Sequence, residues 1–222
     1  MAKEGVPYPL PTGKSSCAAV PCTSAPASPA EAFPYPRCTH ARGIDRRTHP
    51  NQRMLFLLVE GDDERFVERI VVPKFSSRYD LVQARKYARK KREKVNAFLR
   101  SIKAMGADYL LLADLNAYPC FPKKKEALLE TFRELESGKT LIVVREIESW
   151  YLAGLSDDNP LGVQVPTDTS GLTKDQFNNT MPKGIDSRIA YLIEVLRHFD
   201  IRAATTKNAS FLYLAQRCGL LP

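Results

Sequence analysis

The sequence predicts an α/β fold with a largely parallel sheet flanked by helices, and three observations support this. Short apolar runs of strand length occur at 55–59, 109–113 and 140–144. Between them lie longer segments whose apolar residues recur at helical spacing. The two kinds of segment alternate along the chain, which is typical of βα units with parallel strands. We therefore expect one α/β domain over 54–222.

Six helices are predicted from apolar residues at helical spacing and from terminal Gly or Pro residues. Gly106 and Gly138 are placed to end two of them. The predicted ranges are about 63–73, 86–105, 123–136, 145–152, 187–199 and 210–217. Two short strands are added at 81–84 and 201–203, and the polar stretch 156–184 is predicted to be a loop.

The first 53 residues differ in composition from the rest of the chain. They are crowded with Pro, Ser, Ala and Thr and show neither helical nor strand periodicity. At Met54 the sequence changes to the apolar run MLFLLV, which is typical of a buried strand. We predict a disordered Pro/Ser-rich extension over 1–53. A further hypothesis is that Met54 is the real or an alternative initiator, and that an extended gene call produced the preceding segment.

The composition, 44% hydrophobic and 26% charged, is that of an ordinary soluble protein. Its longest uninterrupted apolar run is far shorter than the roughly 18 residues that a membrane helix needs. The N-terminus lacks the layout of a secretory signal, so we expect a cytoplasmic protein without membrane association. The net charge of +8 is compatible with a nucleic-acid partner but does not require one.

An acidic residue follows each of the three strongest predicted strands. Glu60 follows the first, Asp114 the second, and the pair Glu146 and Glu148 the third. Because the carboxyl ends of parallel strands meet at one edge of a sheet, we expect these acids to converge there. Converging carboxylates repel one another, and Mg²⁺ or Mn²⁺ can supply the counter-charge with oxygen ligands and retained waters. Alternatively, each acid pairs with Lys or Arg or caps a helix, but for all three together we favour a metal.

The motifs around these acids resemble those of known domains. Residues 58–66, LVEGDDERF, resemble the first motif of Toprim domains, in which a strand ends in Glu-Gly and the next helix carries another acid. The segment ADLN at 113–116 lies where those domains have an Asp-x-Asp motif. With REIESWYLA at 145–153, most of 54–215 resembles the DUF4276 family, Toprim-like relatives of the OLD-type nucleases. The resemblance implies a Toprim-like, Rossmann-like sheet and a setting in anti-phage defence.

The resemblance also implies roles for individual residues. Glu60 would bind metal or act as a general acid/base, and Glu64, one helical turn later, would point to the same side. Asn116 takes the place of the second Asp of the Asp-x-Asp motif, which removes one negative charge but keeps a carbonyl oxygen. The expected metal ligands are Glu60, Glu64, Asp114, Asn116 and Glu148.

Basic residues would have to position a phosphodiester and offset the charge of the transition state. Three candidates, Lys123, Lys124 and Lys125, begin the helix that follows Asp114. Lys207, near the last predicted strand, is taken as a catalytic candidate together with Glu60.

A second basic segment, 85–94, holds seven Lys or Arg in ten residues. It could contact a nucleic-acid backbone through phosphates, with Arg89, Lys90 and Arg92 as its candidate residues. The charged outer face of an amphipathic helix explains the segment equally well.

The leading hypothesis is a Mg²⁺-dependent phosphodiesterase, a nuclease that acts on DNA or RNA. The alternative, favoured by Asn116, is a non-catalytic Toprim-like module that binds nucleic acid or a partner ATPase. OLD-type nucleases carry their ATPase in the same chain, whereas this sequence has no Gly-x4-Gly-Lys-Ser/Thr loop, so any ATPase would be a separate protein. A small-molecule phosphohydrolase is a third class.

Overall fold

The strands form one parallel sheet. The computed structural model describes residues 52–61 and 64–221. The strands in these residues are β1 Met54–Val59, β2 Leu81–Lys86, β3 Asp108–Asp114 and β4 Thr140–Val143. They are hydrogen-bonded in the order β2-β1-β3-β4, and every neighbouring pair is parallel.

Helices occupy most of the connections and the C-terminal part of the described chain. A π-helical segment, Val67–Val71, joins the first two α-helices, and a 3₁₀ turn, Ser137–Lys139, precedes β4. The α-helices are α1 Glu64–Phe66, α2 Val72–Phe75, α3 Arg92–Ala104, α4 Phe121–Thr131, α5 Glu148–Ala153, α6 Lys174–Asn179, α7 Arg188–Arg197, α8 Ile201–Lys207 and α9 Ala209–Cys218.

The sheet separates two hydrophobic clusters of the described residues. Because alternate side chains of a strand point to opposite faces, Leu57 and Leu58 of β1 belong to different clusters. Leu57 lies with Trp150 of α5 and Phe211 of α9. Leu58 lies with Leu99 of α3. The predicted α/β fold with a parallel sheet flanked by helices is therefore confirmed, and the central strands β1 and β3 are apolar because both faces are covered.

The predicted strand at 201–203 is wrong, since these residues form the first turn of α8. The side chain of Asp200 accepts the backbone N–H groups of Arg202 and Ala203, at 2.6 and 3.2 Å. This N-cap satisfies donors that the first turn leaves unpaired. A run of three residues is too short for periodicity to distinguish strand from helix.

Other predicted bounds also change. The long basic helix expected over 86–105 begins only at Arg92, because Lys86 is still paired with Val59 in the sheet. The helix expected over 123–136 ends at Thr131. The predicted loop 156–184 contains α6, which begins with a capping box formed by Thr173 and Gln176.

Some predictions concern residues outside the described ranges. The extension 1–53 lies outside them except for Gln52 and Arg53, and the first helix was expected to begin at Asp63, which is also outside. Among the described helices, none is long and apolar enough to cross a membrane.

Candidate functional site

At the carboxyl edge of the sheet, the connections that follow β1 and β3 run in opposite directions. The chain leaves β1 towards β2 on one side and leaves β3 towards β4 on the other. In open α/β sheets, ligands bind in the crevice outside strand ends whose connections diverge in this way. Glu60 directly follows β1, and Asp114 is the last residue of β3. Both residues therefore lie where a ligand site is expected.

The carboxylate of Glu60 is held against the end of β3. Its Oε2 accepts the backbone N–H of Asp114 at 3.3 Å and the hydroxyl of Tyr87 at 3.4 Å. The ammonium of Lys124 lies 3.9 Å from the same oxygen. Glu60 is thus held by the last residue of β3 and by Tyr87 and Lys124, which follow β2 and β3 in the chain.

Asp114 has a strongly perturbed acidity. Burial, and then the negative charges of Glu60, Glu148 and Glu146, raise its pKa to about 8, and Lys124 opposes the shift. The hydrogen bond from the Asp114 N–H to Glu60 places these two residues together, and the convergence of all three acids on one site stays a prediction. Without a further cation, the Asp114 carboxyl is mostly protonated at neutral pH.

Lys124 is a buried cation of this site. The sequence pattern predicts that it positions a phosphodiester together with Lys123 and Lys125. Its residue surface is only 7% exposed. The ammonium lies 4.9 Å from the centre of the Tyr118 ring and also contacts Glu60. Helical spacing was the available signal, because Lys124 precedes the buried Leu128 by four residues and so shares its face of α4.

The two neighbouring lysines have other surroundings. The ammonium of Lys123 lies 2.9 Å from Glu126, with more than half of its side chain exposed. Partial burial and the nearby charge of Arg217 lower the pKa of Lys125. The surroundings of Lys123 and Lys125 therefore differ from those of Lys124, which is buried beside Glu60.

Glu148 and Glu146 are each bound to a partner from the helices after β4. Glu148 is buried at the start of α5, and its carboxylate is ion-paired with Arg188 of α7. The carboxylate of Glu146 accepts the backbone N–H of Lys174, the first residue of α6. These acids contribute negative charge to Asp114 while their oxygens are hydrogen-bonded elsewhere.

Two further predicted site residues also have defined partners. The carboxylate of Glu64 accepts the backbone N–H of Lys86 at 2.9 Å and lies 3.6 Å from its ammonium. It is therefore directed to the end of β2. The ammonium of Lys207 donates to the carbonyl of Leu155 at 2.9 Å and to Asp157 at 2.7 Å. These bonds hold the loop after α5.

Backbone strain is concentrated at the same edge of the sheet. Among the described non-glycine residues, Arg89, Asn116 and Arg145 have positive φ, at 63°, 50° and 59°. They follow β2, β3 and β4 within three residues, and Gly61, at φ 75°, follows β1. The exposed Asn116 donates its backbone N–H to the Arg145 carbonyl at 3.1 Å. Such strain is typical of functional sites.

The basic segment 85–94 is not the outer face of a helix. It begins in β2, continues through a turn, and reaches helix only at Arg92, which is paired with Glu93 at 3.5 Å. Arg89 and Lys90 are exposed in the turn, where the N–H of Lys90 donates to the Tyr87 carbonyl at 3.2 Å. Because Tyr87 also contacts Glu60, this basic turn lies at the edge that carries the acids.

The donors at this edge fit a hydrated divalent cation. Within the described ranges, no three His, Cys, Asp or Glu side chains are grouped closely enough to hold a metal by themselves. Mg²⁺, however, is commonly bound by one or two carboxylates, with waters and substrate phosphates completing its shell. Glu60 and Asp114 supply two such carboxylates, and the pKa of Asp114 is raised first by burial and then by the neighbouring carboxylates.

The fold and the site define an α/β protein with an acidic cluster where the connections of a parallel sheet diverge. The sequence matches no protein-family model, and no curated protein and no solved structure is significantly similar to it. The resemblance to Toprim domains and the DUF4276 family stays a prediction.

Proposed function

We propose that this protein is a Mg²⁺- or Mn²⁺-dependent phosphodiesterase that acts on nucleic acid. The observation that carries the proposal is the pair of Glu60 and Asp114, in which burial and adjacent carboxylates raise the pKa of Asp114 to about 8. A fold that gathers acids at a cost in electrostatic energy suits a ligand of positive charge. The motif resemblance points to the same chemistry.

Each residue of the edge has a role in this proposal. Glu60 and Asp114 would hold the cation, with the amide oxygen of Asn116 as a further donor. When bound, the cation supplies a nucleophilic water and stabilises charge on the departing oxygen. Lys124 and Tyr87 fix the Glu60 carboxylate by the contacts described above. Exposed Arg89 and Lys90 attract the phosphate backbone.

Cleavage of labelled DNA and RNA with Mg²⁺ and with Mn²⁺ tests the proposal. Glu60→Gln and Asp114→Asn remove the charged donors with little change of shape, so we expect both to abolish cleavage while circular dichroism stays that of the wild type. The control is Glu130→Gln, an exposed carboxylate on α4. Wild-type rates in the Glu60→Gln protein would reject the assignment.

A second candidate function is a non-catalytic module that binds nucleic acid or a separate ATPase. It is favoured by the internal cations, because Lys124 and Arg188 already pair with Glu60 and Glu148. This module would bind nucleic acid equally well with and without divalent ions and would cleave nothing. A cytoplasmic role in anti-phage defence belongs to either candidate and is supported by the motif resemblance alone.

A further inference from the structure

Two exposed aromatic rings lie between the end of β3 and the first turn of α4. Tyr118 and Phe121 are 40% and 47% exposed. Of the large hydrophobic side chains exposed in the described part of the chain, the only other aromatic one is Tyr213. Singly scattered apolar side chains on a surface need no functional explanation, but these two rings are only three positions apart in the chain and adjoin the candidate site.

The position of Tyr118 relative to the acidic site is fixed. Its backbone N–H donates to the carbonyl of Leu115 at 3.1 Å, which closes a turn directly after Asp114. Its ring contacts the ammonium of Lys124, and this same ammonium is paired with Glu60. One buried side chain therefore spans the distance from the aromatic ring to the candidate metal ligand.

Other basic residues lie near these rings in the chain or at the same edge of the sheet. Lys123 follows Phe121 by two residues and is largely exposed. The basic turn with Arg89 and Lys90 lies at the same edge of the sheet. Exposed aromatic rings between cations are the combination that binds single-stranded nucleic acid, because bases stack on the rings and phosphates contact the cations. In a duplex the faces of the bases are already stacked on one another and cannot cover the rings.

We infer that Tyr118 and Phe121 form a stacking site for unpaired nucleobases, so that the substrate of the acidic edge is single-stranded nucleic acid. The inference rests on the proposed function and deepens it by naming the substrate class. Lys124 holds the Tyr118 ring and the Glu60 carboxylate together. A base stacked on the ring would therefore bring the adjacent phosphate towards Glu60 and Asp114.

Fluorescence anisotropy with a labelled oligothymidine tests the inference, with EDTA present so that no divalent ion contributes. Tyr118→Leu and Phe121→Leu keep apolar bulk but remove the ring. Each should weaken binding roughly five- to 150-fold, the range expected for one lost base stack. Tyr118→Phe keeps the ring and should bind as the wild type does. Tyr213→Leu, which removes an equally exposed ring on α9, is the matched control and should also leave binding unchanged.

The salt dependence separates stacking from charge. Tyr118→Leu should lower affinity without changing the slope of log affinity against log salt, because no phosphate contact is lost. The double variant Arg89→Gln with Lys90→Gln should reduce that slope by roughly 0.7 for each phosphate contact removed. If Tyr118→Leu changed only the slope of log affinity against log salt, and not the affinity, the stacking site would be overturned.

The inference fails if both leucine variants bind oligothymidine with wild-type affinity. It also fails if the wild type does not bind the oligomer, or binds a duplex of the same length as tightly. None of these results depends on cleavage, since the chelator removes it. Cleavage of duplex DNA at rates unaffected by Tyr118→Leu would overturn the inference and leave the proposed phosphodiesterase intact. Tight binding of the single strand without cleavage would overturn the phosphodiesterase and leave the stacking site intact.

Discussion

At the scale of the residue, Lys124 links three features of the molecule through one buried ammonium group. It is paired with Glu60, lies over the ring of Tyr118, and lowers the pKa of Asp114 against the effect of the surrounding acids. A buried cation that has polar partners is costly to remove, because the groups that it leaves lose their compensation. This makes Lys124 a sensitive test of the site's electrostatics.

Lys124→Gln should therefore destabilise the protein at neutral pH. We expect a loss of about 1–2 kcal/mol in the free energy of unfolding, since Glu60 is partly exposed and solvent screens part of the interaction. Urea unfolding measures this. The control is Lys123→Gln, which changes an exposed lysine on the same helix and should shift stability by less than about 0.5 kcal/mol. Equal effects of the two substitutions would contradict the assigned role.

The raised pKa of Asp114 predicts an unusual dependence of stability on pH in the metal-free protein. Its pKa is about 8 in the folded state, against an ordinary value of 3.8, so between these values the folded protein holds one more proton than the unfolded chain. Stability must then fall as the pH rises from about 4 to about 8. Asp114→Asn cannot titrate, so this part of the pH dependence should be lost.

Unfolding in urea across this pH range, with a chelator present, measures the effect. We expect Asp114→Asn to be as stable as the wild type near the acidic end of this range. Near pH 8 its free energy of unfolding should exceed that of the wild type by roughly several kcal/mol. Parallel stability curves for the two proteins would show that Asp114 is not raised in pKa.

At the scale of the element, the contact between the end of α5 and the segment before α8 depends on a glycine. A Cβ on Gly154, at the end of α5, would lie 2.1 Å from the ring of Phe199. That ring packs edge-on against Phe66 and Phe211, with centroids 5.3 and 5.7 Å away, so it has little freedom to move. The backbone carbonyl of Gly154 also accepts the N–H of Asp200 at 2.7 Å.

Gly154→Ala should consequently destabilise the fold by about 1–3 kcal/mol through overpacking. Gly171→Ala is the control, because a Cβ there meets nothing within 4 Å. Thermal unfolding of both variants provides the comparison, and a Gly154→Ala protein as stable as the control would contradict the described packing.

The elements also show what the sequence could predict. Central parallel strands are buried on both faces, so β1 and β3 are unmistakable apolar runs, and the acids at their ends follow from parallel topology. Helix bounds were harder, because the basic residues after Lys86 continue a charged pattern across the end of β2. The start of α8 is set by the side chain of Asp200, a local bond that hydrophobic periodicity does not reveal.

Individual contacts in the site were predictable only in part. Glu60 and Asp114 could be placed at one edge of the sheet from parallel topology alone. The partners of Lys207, at Leu155 and Asp157, lie about 50 residues away in the chain and depend on how the later helices pack. The pairing of Glu148 with Arg188 of α7 is likewise a tertiary contact.

At the scale of the whole molecule, charge is unevenly distributed, because acids gather at one edge of a protein whose net charge is positive. The chain carries a net charge of +8, yet Glu60 and Asp114 lie together at the edge where the described non-glycine residues of positive φ follow the strands. Exposed cations and aromatic rings lie beside that edge. Under the proposed function, these exposed cations would draw a polyanionic substrate towards a bound metal ion.

Calorimetric titration of the metal-free protein with Mn²⁺ near pH 7 tests this account most directly. We predict that about one ion binds and that protons are released, because a cation beside Asp114 lowers its pKa through the working pH. The released protons appear as a heat that depends on the buffer. Glu60→Gln and Asp114→Asn should each weaken binding by at least about tenfold, and Asp114→Asn should abolish the buffer dependence. Unchanged Mn²⁺ affinity in both folded variants, or no binding by the wild type, would contradict the account.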